Sequence, residues 1–132
     1  MSSQVSPAAS PAQPPVAHPA PLPVVRALAA EGAVVSVDTT RSGLAREAVA
    51  AGAAVVNDVS GGLADPAMHA VVAETGVVYV AMHWRGHADV MDELAVYDDV
   101  VRDVRDELAQ RLDELVAAGA RPEQVVLDPG LG

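Results

Sequence analysis

Residues 124–130 read QVVLDPG, and three earlier stretches have the same form: VVSVDT at 34–39, AAVVND at 53–58 and VVYVAMH at 77–83. Each is a short run dominated by Val, Ala or Leu that closes on a polar residue. Strands this uniformly apolar are expected to be buried on both faces, as in a parallel sheet. In parallel α/β sheets ligands sit beyond the carboxyl ends of the strands, where loops give side chains access to a cavity. Asp38, Asn57, His83 and Asp128 fall at those ends. One polar end carries little weight; its recurrence in four successive units predicts a single shared site.

The stretches between these strands predict helices. LPVVRALAAEG at 22–32 is a short helix with Pro23 at its start and Gly32 just past its end. Thr39 or Thr40 is expected to cap a helix through Ala51, stopped by Gly52. Asp65 as N-cap and Pro66 in the first helical position open a helix that reaches Glu74 and ends before Gly76. The longest helix covers 95–118, where Val96, Val100, Val104, Leu108, Leu112 and Leu115 form one apolar stripe. Asp98 and Asp99 suit the positive end of its dipole, Glu107 and Arg111 form an i,i+4 pair, and Gly119 terminates it. The order α-β-α-β-α-β-α-β implies parallel pairing through right-handed crossovers. An open doubly wound sheet and a section of a (β/α)8 barrel both fit.

At 132 residues the chain has room for one ordinary domain. Residues 1–21, MSSQVSPAASPAQPPVAHPAP, are Pro, Ala and Ser without a periodic apolar face and are expected to form a disordered or extended tail. The folded domain is expected over 22–132. With 51% hydrophobic residues but no Phe, Val, Ala and Leu must fill its core. The absence of Cys excludes disulfides, thiolate metal sites and cysteine nucleophiles, and suits the cytosol. A net charge of −10, with Arg as the sole strongly basic residue type, argues against nucleic-acid binding and against adhesion to anionic membranes. No apolar run is long enough to span a bilayer, and no basic region followed by an apolar core opens the chain, so a cytoplasmic location is expected.

The strand ends carry a definite chemistry. Asp38 and Asp128 can each accept two parallel hydrogen bonds from a planar N–H edge, such as a guanidine-like ring. Asn57 offers a donor and an acceptor to the alternating edge of a heterocycle, and Met82 is suited to packing on a flat ring. Together they resemble a recognition set for a nitrogen-rich heterocycle more than a hydrolytic triad. The structural alternatives are turn and cap roles: Asp38 before Thr39-Thr40, Asp58 beside Ser60-Gly61-Gly62, and Asp128 in a DPG turn. His83 and His87 have the i,i+4 spacing of a metal pair, but Trp84-Arg85-Gly86 reads as loop and supplies no third ligand, so no metal site is expected. His18 in the tail and His69 on a helix read as surface residues. Gly61-Gly62 is a weak signal for phosphate contact through backbone N–H groups.

The blocks SVDTTRSGLAREAVAAGAAVVNDVSGG (36–62), VAMHWR (80–85) and VVLDPGLG (125–132) resemble, in order and spacing, the central portion of the dihydropteroate synthases. The resemblance covers about residues 22–132 and is closest to actinobacterial forms. It implies a partial TIM (β/α)8 barrel of four parallel βα units, corresponding to family strands three to six. The implied activity is condensation of 6-hydroxymethyl-7,8-dihydropterin diphosphate with 4-aminobenzoate, giving dihydropteroate and pyrophosphate in folate biosynthesis. The resemblance also implies that Asp38, Asn57 and Asp128 hold the pterin ring and that Met82 lines its pocket. Asp38 would in addition stabilise positive charge as pyrophosphate departs. His83 follows in the matching motif without a chemical step.

Magnesium and a homodimer are implied as well. The family's Asn-Val-Thr-Pro-Asp-Ser-Phe-Ser-like loop, which supplies the magnesium-binding Asn, has no counterpart in this sequence. Neither do its Ser-Thr-Arg-Pro-Gly-like loop, its Phe-Ala-Lys-like segment and its Ser-Arg-Lys-like block. The chain therefore reads as a fragment with no metal ligand of its own, inactive alone, with apolar strand edges at 34–38 and 124–128. The alternatives are a non-catalytic pterin-binding paralogue and a methyltetrahydrofolate-using methyltransferase barrel; the MHWR and LDPGLG blocks favour the synthase.

Overall fold

The computed structural model describes residues 21–86 and 97–131. The expected N-terminal tail, including His18, lies outside the described residues but for Pro21, and so does His87. The chain runs α1 (Leu22–Ala30), β1 (Ser36–Asp38), α2 (Ser42–Ala50), β2 (Val55–Asp58), α3 (Met68–Thr75), β3 (Val78–Met82), α4 (Val100–Ala117), a 3-10 turn (Pro122–Gln124) and β4 (Val125–Asp128). The strands form one parallel sheet in the order β1-β2-β3-β4, as expected for successive right-handed βα units.

The expectation that the strands are buried on both faces is corrected. Val37, Val56, Tyr79 and Ala81 are buried beneath the helices, while the alternate residues point to a face that no described element covers, on which Val126 is 50% and Val78 38% exposed. Runs of Val and Ala look alike on both sides of the pleat, so the sequence does not reveal that one face is bare. The covered side holds two apolar clusters. The larger joins Val56, Tyr79 and Ala81 to Met68, Val71 and Val72 of α3, with Leu115 of α4. The smaller packs Val25 of α1 and Ala48 of α2 against Val37. Each fully buried Val, Leu or Met contributes on the order of 1.5–3 kcal/mol, and small side chains bring the elements close in place of the missing Phe.

Several helix starts differ from expectation. Neither Thr39 nor Thr40 caps α2: its N-cap is Arg41, which has no side-chain cap bond. Asp65, twenty-three residues on, instead accepts from the Ser42 backbone N–H at 2.7 Å. Asp65 is correspondingly not the N-cap of α3, which begins at Met68 behind Ala67; its other oxygen accepts from the Ala67 N–H at 3.0 Å, so Pro66 stands in a turn before the helix. α4 begins at Val100, later than expected, because Asp99 is in the extended conformation and its side chain accepts from the Arg102 N–H at 3.1 Å. Residues 95 and 96 lie outside the described residues. The apolar stripe of α4 divides: Leu108 and Leu115 are buried, whereas Val100 is 55% exposed.

The expected Glu107–Arg111 pair is absent. Arg111 bonds Glu114 at 3.1 Å, and Glu107 faces the loop after β3. Gln124 is a turn residue, not a strand residue; buried, it donates to the carbonyls of Val72 and Val77 at 3.0 and 2.8 Å and pins the α3–β3 connection beneath β4.

Candidate functional site at the strand ends

The register places the strand-end residues. Asp38 pairs with Asn57, which pairs with Val80, which pairs with Val126. Met82 pairs with Asp128 two residues farther along β3 and β4. Because side chains alternate across the pleat, Asp38, Asn57, Met82 and Asp128 all belong to the uncovered face, in two rows separated by roughly 6.6 Å. Residue types at strand ends look equivalent in the sequence; the paired strands stagger them.

Within the lower row the Asn57 side-chain amide donates to Oδ1 of Asp38, which orients both groups across β1 and β2. In the upper row the Gly130 N–H donates to Oδ1 of Asp128 at 2.8 Å, so the DPG segment does form a turn, the structural role open to Asp128. One Asp128 oxygen serves that turn and the other remains available to a ligand. Gly130 has φ +71°, and a Cβ there would stand 3.3 Å from Cγ of Met82, so a glycine lets the turn lie against that side chain. Among the described residues neither Asp38 nor Asp128 is in an ion pair. The face therefore offers two carboxylates and an amide to N–H donors, with Val80 and Met82 as an apolar floor.

Other polar residues near the strand ends face the helix layer. Asp58 is fully buried and accepts from Ser60 N–H at 2.8 Å, Ser60 Oγ at 2.7 Å, Gly62 N–H at 3.0 Å and the Tyr79 hydroxyl at 2.6 Å. This is the turn-organising role that the neighbouring Ser60-Gly61-Gly62 suggests for Asp58, joined by a tyrosine partner from β3 that local sequence does not signal. Gly61 donates to the Asp58 carbonyl and Gly62 to Asp58 and Ser60, so these backbone groups are committed within the loop and the phosphate signal fails. His69 is not a free surface residue: its Nε2 lies 2.8 Å from the Gly61 carbonyl, and its ring stands edge-on to Tyr79.

His83 also turns to the helix layer, with Nε2 2.9 Å from Oε2 of Glu107. Arg85 grips the same carboxylate through Nε, at 3.1 and 3.2 Å from its two oxygens, and through Nη2 at 3.0 Å. Burial opposes ionisation of Glu107, but bonds from Arg85 and then His83 outweigh it and hold the carboxyl below its ordinary value. Local spacing points Glu107 to Arg111, whereas its actual partners lie 22 and 24 residues away.

Comparison with known proteins decides the family. The pterin binding enzyme family matches residues 2–132. The chain belongs to this family. The match reaches back across the Pro/Ala/Ser-rich stretch that the sequence sets apart. Dihydropteroate synthase of Mycobacterium leprae (strain TN) is 54% identical over 112 residues, covering 84% of this chain and 39% of the relative. Dihydropteroate synthase from Thermus thermophilus, solved in complex with 4-aminobenzoate, superposes with TM-score 0.75 at 42% identity over 84% of this chain and 42% of that one. The Burkholderia cenocepacia enzyme, complexed with 7,8-dihydropteroate, gives TM-score 0.73 at 37% identity over 84% of this chain and 40% of that one. Within this family, the chain is thus a run of four successive parallel strands of the barrel with their connecting helices, and it spans about two fifths of the length of these relatives.

Proposed function

We propose that this chain supplies the pterin-holding part of a dihydropteroate synthase site. What carries this is the co-placement of Asp38, Asn57, Met82 and Asp128 on the one bare face at the carboxyl ends of the strands. The free edge of each Asp accepts N–H bonds from the pterin, Asn57 meets its alternating edge, and Met82 packs on the ring. In the reaction the 4-aminobenzoate nitrogen forms a bond to the exocyclic methylene carbon of the pterin. The carbon–oxygen bond to the diphosphate breaks, pyrophosphate departs and the amine loses a proton. Asp38 is the catalytic residue: its carboxylate stabilises positive charge that develops on the pterin as the leaving group departs.

Magnesium would accompany the diphosphate and neutralise it. The described residues do not fit it: no three His, Asp or Glu side chains among them are grouped to hold a metal ion. Arg85, three residues past the end of β3, is engaged by Glu107. This favours pterin binding without turnover by this chain on its own, the diphosphate and most of the aminobenzoate being handled by other parts of a complete enzyme. Homodimerisation and a cytoplasmic location belong to the same proposal. Among the described residues no helix is long and apolar enough to cross a membrane.

Titration calorimetry with a pterin diphosphate analogue tests the proposal, together with an assay for dihydropteroate formation in the presence of magnesium. Weak pterin binding that Asp128→Ala weakens further, by about 1.5–3 kcal/mol for a lost charge-assisted pair, is the expected result. Equal affinity in wild type and Asp128→Ala removes Asp128 from the site. Turnover comparable to a complete synthase would show that the chain is self-sufficient.

A further inference from the structure

Behind the bare face, one charged cluster links the helix layer to the strand ends. Glu107 stands on α4, and both donors that grip it belong to the first residues after β3. We propose that Glu107 is a positioning residue for the pterin face: acting through His83, it sets where Met82 and Asp128 stand. The inference rests on the pterin reading of that face.

The links are continuous. The His83 ring is held at Glu107, its side chain only 9% exposed. The His83 backbone N–H donates to the Asp128 carbonyl at 2.8 Å, adding one bond to the β3–β4 ladder beyond the Met82–Asp128 pair. The turn that follows Asp128 rests on the same residues, since a Cβ on Gly130 would lie 3.3 Å from Met82 Cγ and 3.4 Å from the His83 carbonyl oxygen. That turn in turn holds Oδ1 of Asp128. Arg85 completes the clasp, its guanidinium also lying 4.0 Å from the ring centroid of Tyr97.

A carboxylate gripped by a guanidinium fork and an imidazole fixes direction as well as distance, which an apolar contact does not. The clasp is polar throughout and joins α4 to the segment after β3. Its effect falls on the ladder bond and the turn that orient the site, the supporting-shell role that binding constellations require.

The test uses the whole chain and two readouts: hydrogen exchange of the His83 amide, and titration with 6-hydroxymethylpterin. Variants are Glu107→Leu, Glu107→Gln and, as a control, Leu115→Ala, which opens the core under the same helix. Glu107→Leu is expected to speed exchange at His83 and to weaken pterin binding roughly tenfold. Glu107→Gln, which keeps an acceptor in place, recovers most of both. Leu115→Ala leaves both at wild-type values below its own unfolding transition. Should Glu107→Leu not fold, Glu107→Asp, which withdraws the carboxylate by one methylene, carries the same expectation. Unchanged exchange and affinity in Glu107→Leu, or equal losses in Leu115→Ala, overturn the positioning role. If wild type itself does not bind the pterin while Glu107→Leu still frees the His83 amide, the positioning role stands and the pterin reading fails.

Discussion

The hydroxyl of Tyr79 donates to Oδ2 of Asp58 at 2.6 Å, tying β3 to β2 on the helix-facing side of the sheet, with both side chains fully buried. Burial, and after it the charge and hydrogen bond of Asp58, push the Tyr79 phenol far above its ordinary value, so it stays protonated and remains a donor. Tyr79→Phe is expected to lower the unfolding free energy by roughly 1.5–3 kcal/mol, because it leaves a buried carboxylate short of one bond. Urea unfolding measures this. Pterin affinity of the folded variant should not change, since Tyr79 points away from the bare face; a matching loss of affinity would place Tyr79 in the site.

Asp65 gives a prediction with a defined pH course. Hydrogen bonds from the Ser42 side chain, the Ser42 N–H and the Ala67 N–H hold its carboxyl below the ordinary value. A carboxyl lowered by folding stabilises the fold above its unfolded value, about 3.9, and that contribution is lost as pH falls through the lower folded value. Asp65→Ala should therefore cost about 1 kcal/mol at neutral pH, the usual size of a lost cap. The gap from wild type should narrow as the solution is acidified. Parallel unfolding curves of constant separation at every pH would exclude the carboxylate as the source.

Gly62 has φ +95°, and a Cβ there would collide with Nε2 of His69. Gly62→Ala is expected to destabilise by about 1–3 kcal/mol from backbone strain alone, with the displaced imidazole adding to it. The double variant Gly62→Ala/His69→Ala should recover the steric part in thermal unfolding but not the backbone part. Full recovery would mean that the left-handed conformation costs nothing here.

Self-association is the fourth expectation. An open cavity of about 580 Å³ runs beside α4 and β4, lined by residues including Val100, Val104, Leu112, Leu127 and Leu131. Among the described residues β1 and β4 are the edges of the sheet. Exposed apolar grooves and unpaired strand edges promote association. Sedimentation of a polypeptide of this sequence should show mass rising with concentration, and Val104→Glu should reduce it. A monomer at all concentrations would contradict this.

The order of strands and helices was legible because Gly and Pro punctuate buried apolar runs. The face that stays bare was not, since Val55, Val56, Val78 and Val80 carry no polarity to mark which side meets water. The sharing of the strand-end residues between two rows depends on register, which appears only when Met82 is paired with Asp128 and Asn57 with Asp38. Charge pairing misled where a local partner existed on paper: Arg111 is one turn from Glu107, yet the fork of Arg85 and the imidazole of His83 meet it across 22 and 24 residues. The cap of α2 was missed for the same reason, its acceptor being Asp65 and not an adjacent threonine.

The bond from Ser42 to Asp65 also bears on how such barrels can be cut and spliced. A helix whose first N–H is served by the following unit's loop is not self-contained, although its strand and helix look like a module. A chimera joined between α2 and β2 parts the first unit from its acceptor, whereas a junction after Asp65 carries the two together. Crossover points chosen by element boundaries alone would thus yield proteins with a frayed α2, and those moved past Asp65 would keep the β1 loop, with Asp38 at its root, in place.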